Sequence, residues 1–132
     1  MHRAYAIHSG FPVGAAARCA DSGSVFIGVN VENDSFGLTN CAERSAIFAG
    51  VAAGSSRYDA IAIAGSAHTL PPCGACRQVI AQLATPNARV IFPREGELAV
   101  MTIEDLLPVR FELAPRTRAG NRSAEAADPG AA

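Results

Sequence analysis

The sequence predicts an α/β sandwich folded as one domain. Two observations carry this. Strand-like and helix-like stretches follow one another in the order ββαβαβ, so that strands are separated by helices. The chain has 132 residues, 49% of them hydrophobic, which suits a single core. Trp is absent and aromatics make up 6% of the chain, so Ala, Val, Ile and Leu must build that core.

The elements follow in order. Val13 to Cys19 and Val25 to Val31 are apolar stretches separated by Ala20-Asp21-Ser22-Gly23-Ser24, and the second is rich in β-branched residues. Together they read as a hairpin with a Gly-containing loop. From Cys41 to Ala53 apolar residues recur through Ala42, Ala46, Ile47 and Ala49, as in a buried helix. Asn40 is placed to cap it and Gly54 to end it. Ala60 to Ala64 reads as a short strand. Pro72 opens a second helix over about Gly74 to Leu83. Arg89 to Phe92 is a strand. Thr102 to Leu107 is a short helix, with Thr102 as its cap and Asp105 at the capping-box position. From Ala114 onward Pro, Gly, Ala, Ser and Arg dominate, so 1–113 is expected to be the folded domain and 114–132 a disordered tail.

Composition narrows the function classes. A net charge of −1 argues against disorder and against a nucleic-acid-binding surface. No apolar run approaches transmembrane length. Met1 to Gly10 shows no export signal, so the four cysteines are expected in a reducing cytoplasm, free to take metal.

The chemistry concentrates in Cys41-Ala42-Glu43 and in Pro72-Cys73-Gly74-Ala75-Cys76. Cys73 and Cys76 can hold one ion from the start of a helix, and Cys41 must reach it from elsewhere. Three cysteines fill three corners of a zinc tetrahedron, and a catalytic zinc site leaves the fourth open. Glu43 lies two residues beyond its cysteine, able to reach the open corner without ligating. Zinc-dependent nucleobase deaminases use this set, with a glutamate that is not a ligand. A lone C-x-x-C can also be a redox pair or half of a structural zinc site. A closed structural site needs a fourth protein ligand, and Cys19, His2, His8 and His68 have no tight spacing to the others. Both motifs fall at predicted helix N-termini, whose dipoles offset the charge of three thiolates. Arg44 and Arg77, one residue after each motif, are candidates to tune the sulfurs. Their plainer reading is as ordinary helix arginines facing solvent.

With these residues in view, the chain resembles the small homotetrameric cytidine deaminases. The matching stretches are Phe11-Pro12-Val13-Gly14-Ala15-Ala16, Gly28 to Asn33, Gly37 to Arg44, Pro72 to Val79, and Leu106-Leu107-Pro108 ending at Phe111. They come in the family's order and cover Ala4 to about Phe111. The resemblance implies a three-layer α/β/α sandwich around a mixed sheet, and zinc held by Cys41, Cys73 and Cys76. It makes Glu43 the proton shuttle. Asn30 and Glu32 would hydrogen-bond the ribose, Phe11 would pack near the base, and Ala42 would line the substrate site. Phe111 would reach into a neighbouring subunit's site, and Arg44 would contact ligand thiolates. Without the resemblance, Asn30 and Glu32 read as a polar strand end, and Phe11 and Phe111 as apolar packing residues.

Cysteine in the first motif resembles the enzymes for free nucleosides; those acting on polynucleotides use histidine there. The implied reaction is hydrolytic deamination of cytidine and deoxycytidine in a cytoplasmic homotetramer with shared sites. Four departures from the family pattern stand out. The chain starts where the family's first helix would be ending. Ile7-His8 replaces a usual Pro-Tyr. Asp34 replaces a small residue near the 5′-hydroxyl end, and Phe36 replaces a tyrosine. Asp34 and Phe36 bear on the exact substrate, and with the short N-terminus they motivate the first of two alternatives; the second comes from a different class. One is a deaminase for a modified cytosine nucleoside or a blasticidin-S-like antibiotic. The other is a non-catalytic, zinc-stabilised binding protein.

Overall fold

The computed structural model describes residues 2–113; the expected tail, 114–132, lies outside the described residues. Five strands, β1 (Val13–Cys19), β2 (Val25–Val29), β3 (Tyr58–Gly65), β4 (Ala84–Arg94) and β5 (Glu97–Thr102), form one sheet in the order β2-β1-β3-β4-β5. The helices are α1 (Ala42–Ala52), α2 (Gly74–Leu83) and α3 (Ile103–Leu106). Among the five strands, β3 and β4 pair in parallel and the other neighbours pair antiparallel, so the sheet is mixed, as expected.

Strand alternation decides which face is covered. Val13, Ala15 and Ala17 of β1, Ile61 and Ile63 of β3, and Val90 and Phe92 of β4 share one face. They form the core with Ala46 and Ile47 of α1, Ile80 of α2, and Ile103 and Leu106 of α3. The opposite face carries the row Ile27, Ala16, Ala62, Ile91 and Val100, with Ile27 and Val100 exposed. Among the described residues, α1, α2 and α3 all contribute side chains to the core on the first face.

The hairpin β1–β2, both long helices and the α3 capping box form as expected. Gly54 follows the last turn of α1 with φ +93°, the left-handed conformation that ends a helix. Several readings differ, among them β4, which begins at Ala84 rather than Arg89. Cys41, not Asn40, is the N-cap of α1. The backbone of Asn40 is bridged to Val31, and its side chain donates to Ser45 Oγ at 3.0 Å. β2 stops at Val29, where the chain leaves the ladder for the site. Strand β5 was not expected. It is joined to β4 by Glu95-Gly96, with φ +55° and +85°, a tight hairpin whose first position is Glu where Asn or Asp is the stronger signal.

Close contact seats α1. A Cβ on Gly28 of β2 would lie 2.2 Å from Ala46 N and 2.3 Å from Ala42 O. Only glycine lets the first turn of α1 rest directly on the sheet.

Candidate metal centre and active site

Strand direction assembles the site. β2 and β3 are each antiparallel to β1, so they run the same way and the chain leaves both at one edge of the sheet. Past β2 it passes Asn30 and Glu32 and enters α1; past β3 it passes Pro71 and enters α2. Two helix N-termini thus converge beyond the carboxyl ends of two strands, the usual place for ligands in α/β sheets.

Cys41 and Cys73 are the N-caps of α1 and α2, in extended conformation, and Cys76 lies in the first turn of α2. The three sulfurs lie within 4.8 Å of one another, and the Cys41 and Cys73 sulfurs are 3.8 Å apart. Bonds of about 2.3 Å at tetrahedral angles would set sulfurs about 3.8 Å apart, so the cluster fits a single zinc. Cys19 is buried at the end of β1, outside this group, and among the described residues all four cysteines are free of disulfides.

Electrostatics supports the fit. Arg44 Nη2 donates to Cys41 Sγ at 3.4 Å, while its Nε is buried with no partner among the described residues. An orphaned donor buried on a half-buried cation is costly. Ionised sulfurs beside it offset that cost, and ionised sulfurs are what a metal ion requires. The bond accepted from the Cys76 thiol, with help from Arg44 and Cys73, brings Cys41 down to about 5. The same bond, together with burial, pushes Cys76 up.

Glu43 is 5% exposed, and burial pushes its carboxyl above the ordinary range, with the neighbouring Cys41 charge acting in the same direction. A raised carboxyl suits a group that must both take and give a proton near neutral pH. Glu43 lines a cavity of about 400 Å³ with Cys41, Ala42, Cys73, Phe11, Asn30 and Glu32. A separate cavity of about 530 Å³ lies by Gln78, Gln82 and Phe111 and contains none of these chemical groups. The chemistry therefore selects the smaller one.

The expected substrate residues fall into two sets. Phe11, Asn30, Glu32 and Ala42 come together in that cavity. The Asn30 amide is clamped to the entry of β1: Oδ1 accepts from Val13 N at 2.9 Å and Nδ2 donates to Phe11 O at 2.9 Å. One amide hydrogen and one lone pair remain for a ligand. Glu32 accepts from His8 N at 2.7 Å, Ser9 N at 3.2 Å and the Ser9 hydroxyl. Asp34, Phe36 and Phe111 lie elsewhere. Asp34 and Phe36 flank His8, and Phe111 is 70% exposed beside α2. Arg77 reaches the carbonyls of Pro72 and Leu106, both at 2.8 Å, and ties the start of α2 to α3.

Ser9 and Thr39 also line the site, and sequence reasoning did not single them out. Ser9 Oγ accepts from Phe11 N two residues on, a serine turn whose Ser-Gly signal was readable.

Known proteins agree with this geometry. A family model described as the cytidine and deoxycytidylate deaminase zinc-binding region matches residues 1–92. A cytidine deaminase of Halalkalibacterium halodurans is 47% identical over 112 residues, covering 82% of this chain and 83% of the relative. The crystal structure of cytidine deaminase from Burkholderia pseudomallei superposes with a TM-score of 0.77 at 47% identity, covering 83% of this chain and 89% of that one. More distantly, a blasticidin-S deaminase of Bacillus cereus is 32% identical, covering 75% of this chain and 76% of the relative. Among the described residues no helix is long and apolar enough to cross a membrane.

Proposed function

The chain belongs to the cytidine and deoxycytidylate deaminase zinc-binding family, and from that premise we propose that it hydrolyses cytidine and deoxycytidine to uridine, deoxyuridine and ammonia. The observation that carries this is Glu43: a buried carboxyl, raised by its surroundings, beside a three-sulfur cluster and in one cavity with Glu32. A closed structural site has no use for such a group.

Cys41, Cys73 and Cys76 would hold zinc, which when bound supplies the Lewis acidity that ionises water near neutral pH. Glu43 takes the proton of the attacking water on a carboxylate oxygen and passes it to ring N3 as the oxygen bonds to C4. The new hydroxyl proton then moves through Glu43 to the amino group, the C4–N bond breaks, and ammonia leaves. Arg44 steadies the sulfur charge. Phe11 and Ala42 wall the base, and Asn30 and Glu32 hold ribose hydroxyls.

The working unit is the domain 1–113, acting on free nucleosides rather than nucleic acid, as a cytoplasmic homotetramer with shared sites. The stronger likeness to cytidine deaminases than to the blasticidin-S enzyme supports the nucleoside reading over the antibiotic one. Ammonia release is to be measured on cytidine, deoxycytidine, N4-substituted cytidines, blasticidin S and free cytosine. Turnover confined to the antibiotic, or metal without any turnover, would replace this proposal.

A further inference from the structure

We propose that Ser9 is a positioning residue for sugar recognition: its hydroxyl locks the Glu32 carboxylate and the Phe11 backbone into one unit, so that the group taking the ribose and the ring beside the base are set together. This rests on the roles of Glu32 and Phe11 proposed above.

The N-terminal segment wraps around residues 30–32. Tyr5 N donates to Asn30 O at 3.0 Å, Glu32 N to Tyr5 O at 2.8 Å, and Asn30 N to Val13 O at 3.2 Å. Main-chain bonds thus hold both ends of the segment, whereas the side chains of Glu32 and Asn30 hold its middle. Three donors meet Glu32. Two are the N–H groups of His8 and Ser9, both on Oε2, which any residue but proline would supply. The third is the Ser9 hydroxyl, on Oε1, and it alone depends on which side chain stands there. It is also the largest influence keeping Glu32 ionised.

A hydroxyl has one hydrogen and two lone pairs. Phe11 N donates to Ser9 Oγ at 3.0 Å and takes a lone pair, so the hydrogen is aimed at Glu32. A carboxylate offers about two acceptor positions per oxygen, so the one left for a ligand is on Oε1, the oxygen that Ser9 orients. Ser9 and Glu32 together line both the cavity that holds Glu43 and an adjoining one of about 310 Å³, so this pair borders the ligand space. Phe11 is fixed from the same two sugar residues: its N–H reaches Glu32 through Ser9, and its carbonyl accepts from Asn30 Nδ2 at 2.9 Å.

The probes are cytidine and 2′,3′-dideoxycytidine for kcat/KM, and uridine and 2′,3′-dideoxyuridine for calorimetric Kd, all with zinc-loaded protein. Preference for the hydroxylated member of each pair reads the sugar contact. Ser9→Ala should cut that preference at least about five-fold, a part of what a hydrogen bond to a charged group is worth. Ser9→Thr, which keeps the hydroxyl, should recover most of it. On a Glu32→Ala background Ser9→Ala should change the preference by less than about two-fold, because both residues act through one contact. A serine that only shaped the turn would weaken both members alike and leave the preference in place. A preference in Ser9→Ala within about two-fold of wild type, or an equal Ser9→Ala effect with and without Glu32, overturns the proposal. A wild type that does not distinguish the paired ligands would take Glu32 out of sugar recognition, and the proposal with it. Failure to turn over cytidine would instead count against the proposed reaction, and the Kd ratio would still decide this question.

Discussion

Cys41 and Cys73 hold the same position in two different helices, each the N-cap, and their sulfurs are 3.8 Å apart. Neither uses its side chain to cap its helix. Each faces the other, so two helix dipoles point their positive ends at one cluster of sulfur. The metal centre is therefore the joint between α1 and α2, and losing it affects both folding and chemistry.

The first prediction follows from that joint. Purified protein should carry about one zinc per chain, as a three-thiolate catalytic centre does. Cys73→Ala should lose the metal and unfold at a lower temperature, because binding and folding are coupled. Elemental analysis and thermal unfolding with and without chelator check this. Full deaminase activity in metal-free wild type would exclude the mechanism.

Glu43→Gln preserves shape and removes the proton shuttle. Zinc content and product binding should persist while kcat falls by about a hundred- to ten-thousand-fold, the range for losing a general acid–base group. Near-normal turnover by a zinc-loaded variant would remove Glu43 from the reaction.

Much of this site was legible because its parts are local. Cys73 and Cys76 lie within one turn of helix, and Cys41 and Glu43 within another, so spacing alone placed them. The α3 cap was legible for the same reason: Thr102 and Asp105 satisfy each other three residues apart. Long-range pairing was harder to read. Strand β5 depends on a turn at Glu95-Gly96 and on partners across β4, and neither gives a strong local pattern. Asn40 looked like a cap, yet its backbone is taken by Val31, nine positions earlier, and Cys41 inherits the role. Asn30 read as polar strand end, and its amide proves to lock the segment from Phe11 to Val13 in place.

Glu32 yields a pH prediction. The Ser9 hydroxyl, with the backbone N–H groups of His8 and Ser9, holds its carboxyl below the usual range. A depressed folded value means that the ionised form is present above the ordinary carboxylate value, and is lost only as pH falls through the lower, folded one. The part of uridine affinity that Glu32 supplies, wild type against Glu32→Ala, should then stay constant from about pH 8 to about pH 5, above the ordinary value near 4.3, whatever Glu43 does in that range. Glu32→Ala should weaken that affinity about ten- to a hundred-fold, as for loss of hydrogen bonds to a charged group. A wild-type to Glu32→Ala affinity ratio that collapses through pH 6 would show that another group holds the sugar.

Gly28 tests how the sheet seats α1. Its Cβ would enter the backbone of Ala42 and Ala46, the turn that carries Cys41 and Glu43. Gly28→Ala should cost at least about 1–3 kcal/mol, the range for overpacking, and should weaken zinc retention as well. Gly37 is the control, because a Cβ there meets nothing within 4 Å. Equal unfolding temperatures for the two variants would mean that α1 is not held by this contact.

Phe111 tests the shared site. Its carbonyl is fixed by Gln78 Nε2 at 3.0 Å, while the residue remains 70% exposed and lines no cavity with Glu43. The ring lines none of the cavity that holds Glu43 in its own chain. Offered to a neighbour's pyrimidine it would stack, worth about 1–3 kcal/mol per base. Light scattering should therefore give a tetramer, and Phe111→Ala should weaken nucleoside binding about five- to a hundred-fold at unchanged tetramer content. Mixing carries the argument further. Glu43→Gln subunits keep the ring and lack the shuttle, while Phe111→Ala subunits keep the shuttle and lack the ring. Co-assembled, some sites combine an intact Glu43 from one subunit with an intact Phe111 from another, and part of the lost activity should return. Mixtures no more active than the sum of their parts, from chains shown to co-assemble, would make Phe111 an ordinary exposed residue and leave each site complete within its own chain.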